Sequence, residues 1–313
     1  MGDVGPDPGR VDASARRRAV PEWAVVAASW LVGELVFFRS QWLSGFDRVM
    51  GDPGAARFLV YVNEHWYQAL LGRASWRDPA FYFPLGDTLG RSDTLLLWQL
   101  VYAPARALGA DPFLAFQVVL VALSAVGFVT FYLVVRTLWH PPVVLGVAGA
   151  ALFAFSNALY ANANHAQLFG VLVVPAVVLL CVAAWRATRA GRRVGAAWGA
   201  AAGALGVLVV YSTYYVGFFS LLAAAIAAVC SLAVTPRATL GRVVRGVRRG
   251  WPTLAGAAVG AAGPGALFAV TYLPGLHATG GYDLAAARYF APRVSDLVNV
   301  GTGNLLWGTV LAR

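Results

Sequence analysis

Between Arg39 and Asp93 the chain gathers six arginines and six acids (Asp47, Asp52, Glu64, Asp78, Asp87 and Asp93) out of only fourteen acids in 313 residues. Carboxylates can take a proton from a hydroxyl or hold a cation, and guanidinium groups can meet an anion such as a phosphate. By contrast, no acid occurs between Pro112 and Tyr282. Ion-coupled transporters usually place carboxylates near the bilayer midplane, and only Glu34 comes near that description. The charge distribution therefore favours chemistry or binding at a membrane surface over coupled transport.

The elements that must position these groups are membrane spans. The chain is 59% hydrophobic and 12% charged, with a mean hydropathy of +0.65, whereas a soluble domain carries about 25% charge. An ordinary soluble enzyme, a disordered chain and a disulfide-stapled module are excluded. Hydropathy predicts an all-α polytopic membrane protein of about seven transmembrane helices, near 20–38, 113–135, 142–156, 168–185, 196–211, 216–234 and 253–273. The apolar run 196–234 spans 39 residues, about 58 Å of helix and so two crossings, with Tyr211-Ser212-Thr213-Tyr214-Tyr215 as the turn. No small-residue cleavage site follows the first run, so it reads as an uncleaved span.

All 24 basic residues are arginines. They cluster beside apolar runs, so they read as orientation signals and imply no nucleic acid. Arg16–Arg18, Arg136, the group Arg186/Arg189/Arg192/Arg193 and the group Arg237/Arg242/Arg245/Arg248/Arg249 are expected on the cytoplasmic side. This gives a cytoplasmic tail 1–19, a transmembrane module 20–276 that includes an external loop 39–112, and an external C-terminal segment 277–313. The parity holds only if Thr94–Leu108, with Pro104 and Arg106, lies at the outer interface and does not cross. Cys181 and Cys230 read as small buried hydrophobes.

Inside the long loop, Asp52-Pro53-Gly54 opens a helix to about Leu71, with Phe58, Leu59, Val62, Trp66, Ala69 and Leu70 on one face and Arg57, Tyr61, Glu64 and Gln68 on another. Asp before Pro is also an N-cap followed by its first helical residue, and the dipeptide recurs at Asp7-Pro8, Asp78-Pro79 and Asp111-Pro112. Ser92-Asp93-Thr94 reads equally as the cap of the interfacial helix. Gly256 and Gly260 read as close helix packing, and Gly263-Pro264-Gly265 as a kink.

At these residues the sequence resembles the GT-C superfamily of integral membrane glycosyltransferases. The similarity is to bacterial members with a Gly-Asp-Pro-Gly-Asp-Ala-Arg pattern after the first span, here Gly51-Asp52-Pro53-Gly54-Ala55-Ala56-Arg57. Glu64-His65-Trp66-Tyr67, Phe81-Tyr82-Phe83-Pro84, Leu89-Gly90-Arg91-Ser92-Asp93 and Asn164-His165-Ala166-Gln167-Leu168 continue it. Ala55 stands where the pattern has a second Asp, and the chain stops at Arg313 where such enzymes continue with further spans. The resemblance therefore implies a GT-C-like seven-span module, its long first external loop carrying juxtamembrane helices, as a truncated form or fragment.

The resemblance also implies a multi-pass cell-membrane enzyme that takes a sugar from a polyprenyl-phosphate donor to an acceptor hydroxyl on the extracytoplasmic side. Asp52 would be the general base, with Asp47 and Glu64 in reserve or as ligands for a divalent cation (Mg or Mn) if one is used. Arg57 or Arg91 would contact the phosphate, and Asp93 and His165 complete the substrate-binding candidates. For His165 the competing reading is an Asn-rich turn that caps helices. Two alternatives stay open: a lipid-linked-saccharide transporter or flippase, and a non-catalytic fragment.

Overall fold

A computed structural model describes residues 21–191, 194–236, 241, 245–279, 284–289, 291, 293–298, 304 and 307–311. The expected tail 1–19 and Arg192, Arg193, Arg237 and Arg242 lie outside the described residues, as does much of the segment 277–313. The fold is helical, with no strand among the described residues. Among the described residues, six helical segments are long and apolar enough to cross a membrane: 112–138, 143–161, 163–189, 195–212, 214–234 and 251–278. The chain is a multi-pass membrane protein.

Helix α1 (Glu22–Phe37) runs antiparallel to α5 (Pro112–Leu138), and two polar contacts set the register: Glu22 pairs with Arg136 at 3.1 Å, and Trp30 Nε1 donates to Ser124 Oγ at 3.3 Å. In the loop beyond, the Phe46 carbonyl accepts from Gln117 at 2.8 Å. At 16 residues α1 is about 24 Å long, short of a hydrocarbon core of roughly 30 Å. Glu34, on α1, accepts from Ser124 Oγ, and its Oε2 has no partner among the described residues.

A short α2 (Arg39–Leu43) leads to α3 (Pro53–Leu70), whose apolar stripe of Leu59, Val62 and Trp66 is buried. The segment 94–108 forms a 3-10 turn and the nine-residue α4 (Gln99–Ala107), about 13 Å long and unable to cross. Trp98, Tyr102 and Phe116 are fully buried where α3, α4 and α5 meet. After α6 (Val143–Ala154) and α7 (Asn157–Ala161), a 3-10 segment Ala163–Val173 leads into α8 (Val174–Arg189), then α9 (Gly195–Ser212), α10 (Tyr214–Val234) and α11 (Trp251–Thr279).

Helices α9 and α11 pack at backbone distance. A Cβ on Gly203 would lie 2.1 Å from the Ala257 carbonyl oxygen, and one on Gly260 2.0 Å from that of Ala200. Only glycine allows this approach. Helix α11 runs on through Pro264 and Pro274.

These contacts sort the connections onto two ends. At one end, Leu95 N donates to the Ser212 carbonyl at 2.9 Å, and Gly90 sits against Thr271. The loop after α1, the 155–165 turn, the α9–α10 turn and the C-terminal part of α11 therefore gather there. At the other end, Arg136 meets Glu22, Arg186 donates to the Thr137 carbonyl at 2.8 Å, and Gly246 lies against Trp185. One expectation is corrected. Cys181 and Cys230 are exposed on the outer face of the bundle, where hydrocarbon replaces a protein core as the apolar surround. Tyr211, at the expected turn, is buried, because Thr271 and Tyr272 of α11 close over it.

Candidate functional site

Asp52 ends an extended stretch and caps α3, since Pro53 fixes the first helical residue without needing a donor. Its Oδ1 accepts from Gly54 N at 2.8 Å and Ala55 N at 3.1 Å. Its Oδ2 has no partner among the described residues. The carboxylate therefore caps with one oxygen and presents the other.

It stands between two hollows. One, of about 420 Å3, is lined by Asp47, Asp52, Arg57, Asp111 and apolar neighbours. The other, also about 420 Å3, is lined by Ser40, Gln41, Asp52, Tyr160 and Asn164 among others. Gly51, at φ +95°, permits this placement: a Cβ there would be 2.5 Å from the Ala163 carbonyl oxygen. The first loop is thus seated directly on the 163–164 backbone. Arg39 Nη2 donates to Tyr160 OH at 3.0 Å beside the second hollow.

Asp111 is the residue that sequence reasoning missed. It repeats the Asp52 geometry at the start of α5, its Oδ1 accepting from Phe113 N at 2.8 Å and Leu114 N at 3.1 Å. Two Asp-Pro caps, 59 positions apart in sequence, therefore line one hollow. The recurring dipeptide was the available signal, but it takes the packing of α3 against α5 to bring the two together.

The other candidates lie elsewhere. Glu64 is bound into a polar knot: Arg106 Nε at 2.8 Å, Tyr102 OH at 2.8 Å and Gln68 Nε2 at 2.8 Å all donate to it. Burial works to raise its pKa, but these donors prevail and hold it below the ordinary carboxylate value. Asp93 is buried and accepts from Tyr214 N at 2.6 Å, so it caps α10 and not α4. Burial raises its pKa to about 6, against the opposing pull of that N–H.

Arg91 lies with its guanidinium 6.0 Å from the Tyr82 ring centre. Its buried Nε has no partner among the described residues, and it lines neither hollow. His165 is exposed at a break in the helical backbone (φ −111°, ψ 58°), next to Asn164 on the second hollow. The structure thus brings Asp47, Asp52 and Arg57 together, and sets Glu64, Arg91 and Asp93 apart from them. Among the described residues no three His, Cys, Asp or Glu side chains converge as metal ligands.

No family model, no curated protein and no solved structure matches this chain.

Proposed function

We propose that the chain is a GT-C-like membrane glycosyltransferase module that moves a sugar from a polyprenyl-phosphate donor to an acceptor hydroxyl. The observation that carries this reading is the Asp52 carboxylate, which offers a free oxygen at the boundary of two hollows, one of which also holds Arg57. In the proposed reaction Asp52 Oδ2 takes the acceptor proton as the hydroxyl oxygen attacks the anomeric carbon. The bond from that carbon to the phosphate oxygen breaks, and polyprenyl phosphate departs with the electron pair. Arg57 stabilises the charge that develops there.

In this reading Asp111 supplies the second carboxylate that Ala55 lacks and orients the acceptor, with Asp47 beside it. The acid-free loops bearing arginine favour the cytoplasm for the Arg136 and Arg186 end, and the positive-inside rule then puts both hollows on the outer side.

The test uses the full chain in proteoliposomes supplied with a polyprenyl-phosphate-linked sugar and a mixture of hydroxyl acceptors. Transfer predicts one polyprenyl phosphate formed for each glycosylated product. Movement of intact donor across the bilayer without cleavage would instead establish the transporter reading.

A further inference from the structure

Helices α8, α9 and α10 leave a groove between them, of about 590 Å3, whose lining includes Val178, Cys181, Gly206, Val210, Leu221 and, near the C-terminal end of α8, Arg186. This volume falls within the roughly 300–1,000 Å3 of sites that hold a small ligand. All three walls belong to segments long and apolar enough to cross a membrane, so the groove opens on hydrocarbon. A polar peptide or sugar entering it would lose its hydration without partners. A hydrocarbon chain would fill it without that cost.

The polar end of the occupant is set by charge. Arg186 is held by its Nη2 bond to the Thr137 carbonyl at 2.8 Å, which leaves its other donors to face outward. Arg189 stacks on Trp185 at 5.4 Å, an aromatic residue of the kind enriched at the headgroup level. The sequence from Arg186 to Arg193 holds four arginines and no acid, a combination that attracts anionic lipid.

We propose that this groove is a binding site for one anionic glycerophospholipid, its acyl chain lying between α8, α9 and α10 and its phosphate meeting Arg186 and Arg189. The site lies at the opposite end of the bundle from Asp52 and does not depend on the proposed transferase activity. A bound chain would brace α10, which apart from its first turns touches little else of the protein.

The test is native mass spectrometry of the full chain released from nanodiscs of phosphatidylcholine containing phosphatidylglycerol. One phosphatidylglycerol should be retained in preference to phosphatidylcholine, and retention should fall about fivefold for each of Arg186→Gln and Arg189→Gln. Gly206→Leu should displace the lipid by filling the groove, because a Cβ at Gly206 meets nothing nearer than Val177 at 3.7 Å. Equal retention of the two lipids, or full retention in the two arginine variants, overturns the proposal. Should Gly206→Leu fail to fold, the arginine variants, which leave the groove walls intact, decide the matter.

Discussion

The Glu64 knot ties the loop helix α3 to α4, and its strength can be worked from the geometry. Arg106 reaches the carboxylate with Nε at 2.8 Å and Nη2 at 3.2 Å, a two-pronged contact, and Tyr102 adds a third donor. The two charged side chains are 20% and 23% exposed, between the surface pairs worth about 0–1 kcal/mol and the buried ones costing about 3–5 kcal/mol to break. We expect Glu64→Gln to destabilise by about 2 kcal/mol. A double-mutant cycle with Arg106→Gln should show a coupling of about 1–2 kcal/mol.

The pH sign follows from the depressed Glu64 pKa: the contribution is complete above the unfolded value and is lost as pH falls through the folded one. Coupling should therefore be unchanged from pH 8 to 6 and disappear only below about pH 4. Urea unfolding in detergent, followed by tryptophan fluorescence, measures it. A coupling under about 0.3 kcal/mol at pH 7 would refute the argument that the knot fastens α3.

Three further expectations can be checked alongside. Gly203→Ala should destabilise by about 1–3 kcal/mol through overpacking of α9 on α11, whereas Gly206→Ala, whose Cβ would make only an ordinary van der Waals contact with Val177 at 3.7 Å, should not lower the melting temperature. Asp93 binds a proton more tightly folded than unfolded, so the protein should gain stability as pH falls from 7 towards 5, and Asp93→Asn should flatten that profile while keeping the cap. Arg57→Gln should lower kcat/KM for the lipid donor by about 10–100-fold, the loss of one charge-assisted hydrogen bond, with no change in melting.

Six of the seven expected spans and the α3 helix were legible because each is written locally, in a run of apolar residues or in Asp52-Pro53 followed by a three- and four-residue apolar repeat. The glycines of α11 likewise announced their close contact. What was not legible depended on distant partners. Asp93 looked like the cap of the nearest helix, yet its donor is Tyr214, 121 positions away. Glu64 looked available for chemistry until Arg106, 42 positions on, closed over it. Asp111 looked like one more Asp-Pro helix cap, because nothing near it in sequence reveals that the hollow beside Asp52 is also its own.

The central claim is that Asp52 holds the helix with one oxygen and takes a proton with the other, and a single substitution separates the two duties. Asparagine caps about as well as aspartate but accepts no proton. Asp52→Asn should therefore melt with the wild type in the same detergent while sugar transfer falls at least about 100-fold. An Asp52→Asn protein that melts normally and transfers sugar at the wild-type rate would contradict the account.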